Sequence, residues 1–240
     1  MSHKLSALTI NLAVVAVIAA NALANILPFN NITTGEVSAA LPALFTPAGY
    51  VFSIWGLIYL LLLIYSATVW RTAIAKREVI LFTASCVLNA SWLLAWHYFQ
   101  IVISLVIMLG LWGCLAMLYQ MATRTPRRTM RVTFSVYFGW ISVATLANFA
   151  ALLVHFDAAD WLLSESTWTL ILLGLAMGMG LIVAWLRGDV IFQLVLMWAA
   201  VGIQQAQSVT IIQQASLLAA AVALATAAYC FYKNRAPYTR

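Results

Sequence analysis

Charged residues are what this sequence most lacks: Asp, Glu, Lys and Arg make up 8% of its 240 residues, while hydrophobic residues make up 65%. A soluble domain carries about a quarter charged residues, so this chain could not cover a water-exposed surface. The composition therefore predicts an integral membrane protein, all-α in fold class, built as a polytopic bundle of transmembrane helices.

Cysteines and metal-binding patterns are also scarce. The three cysteines, Cys86, Cys114 and Cys230, lie inside apolar runs, and their spacing matches no zinc, haem-attachment or redox motif. We expect buried apolar side chains at these positions and no metal site. The net charge of +6 could suggest a nucleic-acid partner. The chain has no basic surface with interleaved aromatic residues, however, so nucleic acid is set aside.

Eight apolar stretches approach the roughly 20 residues that a helix needs to cross a bilayer core. They cover residues 6–28, 49–70, 79–98, 101–122, 132–154, 167–186, 190–206 and 212–232. Lys4 and the Ala22-Leu23-Ala24 sequence make the first stretch resemble a secretory signal, but its length favours a retained span. The seventh stretch is short, and one merged span over 190–214 would reduce the total to seven.

The distribution of charge favours eight spans. With eight spans and the N-terminus inside, every Lys and Arg falls in an inner segment, as the cytoplasmic bias of these residues predicts. The inner cations are Lys4, Arg71, Lys76, Arg77, Arg124, Arg127, Arg128, Arg131, Arg187, Lys233, Arg235 and Arg240; the outer segments carry Glu36, Asp157, Asp160 and Glu165. We therefore expect about eight transmembrane helices with both termini in the cytoplasm.

No Asp, Glu, Lys or Arg lies inside any of these spans. Ion-coupled transporters, proton pumps and voltage sensors usually keep such residues in the membrane, and a retinal protein needs a lysine there. The sequence thus argues against all of these classes without excluding a facilitator.

The polar residues inside the spans are mainly amides. We expect each to bond a neighbouring helix, because an unmatched amide in hydrocarbon is costly. They are Asn11, Asn21, Asn25, Asn89 and Asn148. In the sixth span, Gly174 and Gly178 form a small-xxx-small pattern that serves internal packing or a dimer interface; we favour internal packing.

The stretch Phe45–Tyr59, FTPAGYVFSIWGLIY, is the most informative. Pro42 and Pro47 predict a loop up to about Ala48, followed by a long apolar helix. Its rings are spaced four or five residues apart, near one helical face. These are Tyr50, Trp55 and Tyr59. Their spacing suits either an interfacial aromatic belt or an aromatic pocket covered by the loop.

Two further segments carry aromatic and amide residues. Asn89, Trp92 and Trp96 share one face of the third span, and Tyr137, Trp140 and Ala144 share one face of the fifth. The predicted topology makes these two spans parallel, so their outer ends should meet the loop between spans one and two.

Together the three segments resemble the TspO/MBR family, the tryptophan-rich sensory proteins related to the mitochondrial translocator protein. The family has a helix with a pattern like W-V-F-x-x-x-W-x-x-x-Y, to which Tyr50, Val51, Phe52, Trp55 and Tyr59 correspond with one residue fewer before the tryptophan. L-N-x-x-W is matched by Leu88, Asn89 and Trp92, and P-Y-x-x-W-x-x-x-A-x-x-L-N by Tyr137, Trp140, Ala144 and Asn148. The resemblance covers about residues 6–154, or five helices.

The sequence also departs from these patterns, and the departures bear on the resemblance. Tyr50 stands where the family usually has tryptophan, and Val136 stands in place of proline. The chain also continues beyond the five helices. We therefore divide it into a TspO-like bundle, 1–154, and an extension of about three helices, 155–240. The extension could shield the bundle, replace a dimer interface or add a function.

The resemblance implies a sensor, receptor or carrier that binds tetrapyrroles such as porphyrin or haem, or other hydrophobic molecules, in a pocket under the first loop. It implies a ligand-binding set without catalytic residues and without a required cofactor. The set is Tyr50, Trp55, Tyr59, Asn89, Trp92, Trp96, His97, Tyr137, Trp140, Ala144 and Asn148. His97 and His155, both at outer helix ends, could bind haem iron or a propionate, or be ordinary interfacial residues.

Two other functions stay open. The chain could be an accessory subunit of a larger membrane complex, or an enzyme that degrades porphyrin by photo-oxidation in a tryptophan-lined pocket. Because the sequence contains no acid–base or nucleophile constellation, we favour a binding protein over an enzyme. The expected partners are the lipid bilayer, a hydrophobic ligand and either a second copy or another membrane chain. We expect the bacterial inner membrane as the location.

Overall fold

The computed structural model describes residues 2–27, 29–158 and 163–235, with side chains as far as Asn234. The described residues form nine α-helices with short 3-10 turns and no strand. The helices are α1 (His3–Ile26), α2 (Thr34–Ala40), α3 (Ile54–Thr68), α4 (Lys76–His97), α5 (Ile101–Thr123), α6 (Arg128–His155), α7 (Glu165–Arg187), α8 (Val190–Ala206) and α9 (Thr210–Arg235). The all-α prediction is confirmed. Asp160, Arg240 and the Arg235 side chain, which entered the charge argument, lie outside the described residues.

Within these ranges, seven helices are long and apolar enough to cross a membrane. All eight predicted spans are helical, but α8 has only 17 residues. At 1.5 Å per residue it reaches about 25 Å, less than the roughly 30 Å hydrocarbon core. The protein is therefore a polytopic helical membrane protein, and a full crossing by α8 stays a prediction.

The alternative of one merged span over 190–214 is wrong. Helix α8 ends at Ala206, Gln207 is extended with φ −101° and ψ 144°, and α9 begins at Thr210. The Gln207 carbonyl accepts a hydrogen bond of 2.6 Å from the Gln213 side chain. A turn thus separates two helices that pack against each other.

The loop predicted between spans one and two contains a helix. Helix α2 lies before Pro42, and Thr33 caps it: its hydroxyl accepts from the Glu36 N–H, while the Glu36 carboxylate accepts from the Thr33 N–H at 2.7 Å. This capping box stabilises one short helix that the hydropathy pattern does not indicate. The hydrogen bonds from Thr33 lower the pKa of the Glu36 carboxyl.

The helices form two compact units by their contacts. Unit 1 comprises residues 1–42 and 53–141, and unit 2 comprises 43–52 and 142–240. In unit 1, α1 packs on α3 and α4, and α4 packs on α5. Three contacting rings, Tyr65, Phe82 and Phe134, are buried in its core. The predicted division at residue 154 was made on sequence resemblance and stays a prediction.

In unit 2, α7, α8 and α9 pack on one another. The close approach of α7 to α8 occurs at Gly180, where an added Cβ would lie 2.6 Å from the Leu196 side chain. Gly174 and Gly178, for which we predicted internal packing, have no neighbouring atom within 4 Å of such a Cβ. That prediction is wrong, because these glycines lie on a different side of the helix from Gly180.

Candidate functional site

An aromatic cluster of four predicted residues lies in unit 1, between α3 and α6. The Trp55 ring stacks on Tyr59, with ring centroids 5.8 Å apart, and meets the edges of Tyr137 and Trp140 at 6.1 and 6.3 Å. Tyr137 and Trp140 are buried, while Trp55 and Tyr59 are half-buried. The i, i+4 spacing on α3 and the i, i+3 spacing on α6 direct these rings to a common region.

A chain of buried polar groups leads into this cluster. The Asn21 amide donates to the Asn89 side-chain oxygen at 2.8 Å, and the Asn89 amide donates to the Tyr137 hydroxyl at 3.1 Å. Asn21 was expected only to join helices, and its link to Asn89 could not be read from the sequence because the two lie 68 positions apart. These two hydrogen bonds fix the orientation of the Asn89 amide and leave the proton of the Tyr137 hydroxyl available.

Two hydroxyl groups in the cluster can still donate a hydrogen bond. Among the residues that the structure describes, none accepts a hydrogen bond from Tyr59 or Tyr137. A phenol bound to a ligand combines an apolar ring with one polar contact. The cluster therefore combines four aromatic rings with two hydroxyl donors.

A second aromatic pair, Trp92 and Trp96, stacks along α4 with centroids 5.5 Å apart. Both rings are buried, and the Trp96 indole donates to the Thr34 carbonyl oxygen at 3.2 Å. Trp96 thus joins the end of α4 to the start of α2. This contact gives the ring a structural role in addition to any role toward a ligand.

His97 is fully buried at the end of α4. Its Nδ1 donates to the Leu93 carbonyl oxygen at 2.7 Å, and its Nε2 lies 3.4 Å from the Thr34 hydroxyl. Phe29 packs edge-on against the ring. Because both ring nitrogens have partners, iron ligation by His97 would require the Thr34 contact to be given up. His155 is exposed and lies in unit 2, against Phe156.

Three predicted residues belong to unit 2 instead. Ala144 and Asn148 lie on the later part of α6, where Asn148 is buried. Tyr50 lies on the loop 43–52, and its ring meets the edge of the Trp198 ring at 5.3 Å. Eight of the eleven predicted site residues are therefore in unit 1, and four of these eight form the aromatic cluster.

The loop 43–52 is attached to α8 through backbone groups. The Ala48 N–H donates to the Gly202 carbonyl oxygen at 3.0 Å, and the Trp198 indole donates to the Val51 carbonyl oxygen at 3.2 Å. A Cβ on Gly202 would overlap the Val51 side chain and lie 3.2 Å from Pro47. Only glycine at position 202 permits this close approach, which the sequence analysis missed.

The sequence analysis also missed a buried ion pair in unit 1. Glu78, in the first turn of α4, is fully buried and accepts two hydrogen bonds from Arg127, at 2.9 and 2.6 Å, and one from the Tyr65 hydroxyl at 2.6 Å. Burial lowers the pKa of Arg127, but the hydrogen bonds and the charge of Glu78 outweigh it and raise that pKa. The assignment of Lys and Arg to inner segments treated Arg127 as an unpaired loop residue, but its side chain forms an ion pair with Glu78.

The described residues contain no group of three or more His, Cys, Asp or Glu side chains able to hold a metal ion. The three cysteines are free thiols. Cys86 and Cys230 are buried, as predicted, whereas Cys114 is only half-buried, so the prediction of burial is wrong there.

The comparisons with known proteins agree with this arrangement of helices. A family model described as TSPO-like protein matches residues 7–229. The chain belongs to the TSPO-like protein family. No curated protein and no solved structure matches it. The family match extends through α7, α8 and most of α9, well beyond the 6–154 over which the motifs resemble TspO/MBR proteins.

Membership in the TSPO-like family confirms the predicted resemblance and agrees with the apolar helices: the protein is an integral membrane protein in contact with lipid. The match includes both units. The helices after residue 155 are therefore part of the region that the family shares.

Proposed function

We propose that this TSPO-like protein is a membrane sensor or carrier that binds a flat hydrophobic molecule, a porphyrin in the first instance, at the aromatic cluster of unit 1. The observation that supports the proposal most is the contact of Trp55 with Tyr59, Tyr137 and Trp140. A planar ligand gains offset-stacked or edge-to-face contacts with such rings. Sites for hydrophobic ligands typically combine such rings with a few fixed polar groups.

The polar groups favour a tetrapyrrole, which carries carboxylates, over a hydrocarbon without polar groups. The Tyr59 and Tyr137 hydroxyls can donate to the carboxylates of a porphyrin. The Asn89 amide donates to the Tyr137 hydroxyl oxygen and so leaves the hydroxyl proton for the ligand. Since His97 is held by Leu93 and Thr34, these residues suit the macrocycle better than they suit ligation of haem iron. We propose a metal-free porphyrin as the preferred form and the bacterial inner membrane as the location.

The test is a porphyrin titration of the detergent-purified full chain, followed by the porphyrin absorbance and by quenching of tryptophan fluorescence. We expect Trp55→Phe and Trp140→Phe each to weaken binding about three- to tenfold, because an aromatic pair contributes roughly 0.5–1.5 kcal/mol. The matched control is Trp185→Phe, which alters an indole on α7 that is 79% exposed. Equal affinities for all three variants and the unchanged protein would overturn the proposal.

A second titration, with iron-loaded porphyrin, tests whether His97 binds the iron. We expect His97→Ala to leave the visible spectrum of the bound haem unchanged. A shift of that spectrum in the variant would show that His97 leaves Thr34 and binds iron.

A further inference from the structure

One end of unit 1, which we call the cationic end, collects exposed cations from three parts of the chain. These parts are the start of α1, the connection between α3 and α4, and the connection between α5 and α6. The first two meet where His3 Nε2 donates to the Thr72 carbonyl oxygen at 2.8 Å. The last two meet where Arg127, just before α6, pairs with Glu78 in the first turn of α4. The exposed cations of the cationic end are Lys4, Arg71, Lys76, Arg77, Arg124, Arg128 and Arg131.

No acidic side chain of unit 1 is available to neutralise these seven cations. Unit 1 contains two acidic residues, and one of them, Glu78, is already bound to Arg127. The other, Glu36, lies on α2, whose Thr34 carbonyl oxygen accepts from Trp96 near the end of α4. Helix α4 has 22 residues and is about 33 Å long, so Glu36 lies at the opposite end of the unit. In the described part of the chain, none of the seven cations forms an ion pair.

The helix dipoles add to this positive charge. Five of the seven cations lie in the first turn of α1, α4 or α6, where the free backbone N–H groups already carry partial positive charge. The first turns of α1 and α6 hold no acidic residue. These like charges repel one another, so a bound anion would lower the free energy of the cationic end.

The cations also lie at the ends of apolar spans. Each of the seven is within three residues of the end of a helix that is long and apolar enough to cross a membrane, a distance of about 5 Å along a helix axis. Next to Arg71, the side chain of Trp70 is 46% exposed, and tryptophan is enriched at the level of the lipid head groups. This position places the phosphate layer of a bilayer within reach of the cationic end and favours a lipid over a soluble acidic partner.

We propose that the cationic end of unit 1 binds the head-group phosphates of anionic phospholipids. Five of its seven cations are arginines, whose planar guanidinium can donate two parallel hydrogen bonds to one phosphate. Arg77 directly precedes Glu78, and Arg131 follows Arg127 by one helical turn, so the ion pair fixes the backbone positions of both. This site is separate from porphyrin binding at the aromatic cluster, and either can exist without the other.

The test is native mass spectrometry of the purified full chain in a neutral detergent, with phosphatidylglycerol and with phosphatidylcholine of the same acyl chains. Both lipids carry a phosphodiester, but only the first has a net negative charge. We expect saturable binding that prefers phosphatidylglycerol by about 25-fold or more, the gain from two basic residues at about fivefold each. The preference should shrink as the salt concentration rises, because the cations are exposed. Equal binding of the two lipids, or a preference that salt leaves unchanged, would overturn the proposal.

Variants of two arginines locate the site. Arg77→Gln and Arg131→Gln should each weaken phosphatidylglycerol binding about fivefold, and their combination about 25-fold, with phosphatidylcholine binding unchanged. Arg77→Lys combined with Arg131→Lys keeps both charges and should retain most of the affinity. The matched control is Arg187→Gln, which removes an exposed arginine of unit 2 and should bind like the unchanged protein. Equal affinities of the glutamine pair and this control would place the lipid elsewhere.

Each remaining outcome also decides. An affinity loss in the lysine pair as large as in the glutamine pair would show that charge does not hold the lipid. If the glutamine pair lost both lipids, unchanged phosphatidylglycerol affinity in both single variants would overturn the site. Displacement of phosphatidylglycerol by an equal concentration of glycerol phosphate would show that the cationic end binds a soluble phosphate instead of a lipid. Thermal unfolding of every variant in lipid-free detergent is the check on folding.

Discussion

Units 1 and 2 hold their helices together by different interactions. In unit 1 buried polar groups join the helices: Glu78 pairs with Arg127, and Asn89 bridges Asn21 and Tyr137. In unit 2 small residues let backbones approach, at Gly180 and Gly202. Both units lie in a lipid environment, where burial of apolar surface between helices gains little over contact with lipid. Hydrogen bonds therefore contribute to helix association in both units, as Gln193 and Gly180 show in unit 2, and close packing at glycine adds to them in unit 2.

The two units also bury different polar groups. In unit 1 the Asn89 amide donates to the Tyr137 hydroxyl at 3.1 Å. In unit 2 the Gln193 amide donates to the Gly180 carbonyl oxygen at 2.7 Å, beside a cavity of about 30 Å³.

The largest effect is expected from breaking the ion pair of unit 1. Arg127→Met leaves the Glu78 carboxylate buried without its cation, which typically costs about 3–5 kcal/mol. Thermal unfolding in detergent should show a large loss of stability. The control Arg128→Met alters an exposed arginine in the same segment and should change stability by less than about 0.5 kcal/mol. Equal stability of the two variants would show that the pair contributes little.

The next effect concerns the close packing of unit 2. Gly202→Ala forces the new Cβ against Val51 and Pro47, and overpacking of this kind costs about 1–3 kcal/mol. The control is Gly174→Ala on α7, whose Cβ would meet no atom within 4 Å; it should be neutral or stabilising by up to about 1 kcal/mol. Unfolding and Trp198 fluorescence report the difference. If Gly202→Ala behaved like Gly174→Ala, the loop would not pack on α8 as described.

A smaller effect is expected from shortening the polar chain of unit 1. Tyr137→Phe removes the acceptor of the Asn89 amide and should cost about 0.6 kcal/mol, the average for hydrogen bonds between membrane helices. Tyr229→Phe, at a residue that is 61% exposed, is the control in the same unfolding assay. A cost no greater than that of the control would mean that Asn89 finds another partner.

The smallest effect is local to α2. Since the folded pKa of Glu36 lies below its ordinary value of 4.5, its contribution is complete above that value and is lost as pH falls through the folded pKa. Amide exchange in α2 should therefore accelerate at acid pH. Thr33→Ala removes the hydroxyl contact but keeps the backbone N–H, which is the larger cause, so the Glu36 pKa should rise only part of the way to its ordinary value in a carboxylate titration by NMR. An unchanged pKa in that variant would contradict the contribution of the Thr33 hydroxyl.

Hydropathy predicted the positions of the long helices, because each of them is a long apolar run, and such runs are the clearest signal of a helix span in a sequence. Residue spacing predicted that Trp55 and Tyr59 share one helical face and that Tyr137 and Trp140 share another, since one face of a helix follows from its period. That the two faces lie together was predicted from the topology and the family resemblance. The short helix α2 was not predicted, because a cap stabilises it and no apolar stripe marks it. Tyr50 was grouped with these rings by its spacing and by the family pattern, and the structure places its ring against Trp198 instead.

The sequence by itself determined that this is a multi-spanning helical membrane protein of the TSPO-like type, because composition, span length and three ordered motifs are properties of the chain read locally. Only the tertiary structure decided which glycines bring backbones together, which carboxylate is buried with an arginine, and that the Gln193 amide bonds the Gly180 carbonyl. Those features depend on residues far apart in the chain that meet only when the helices have packed.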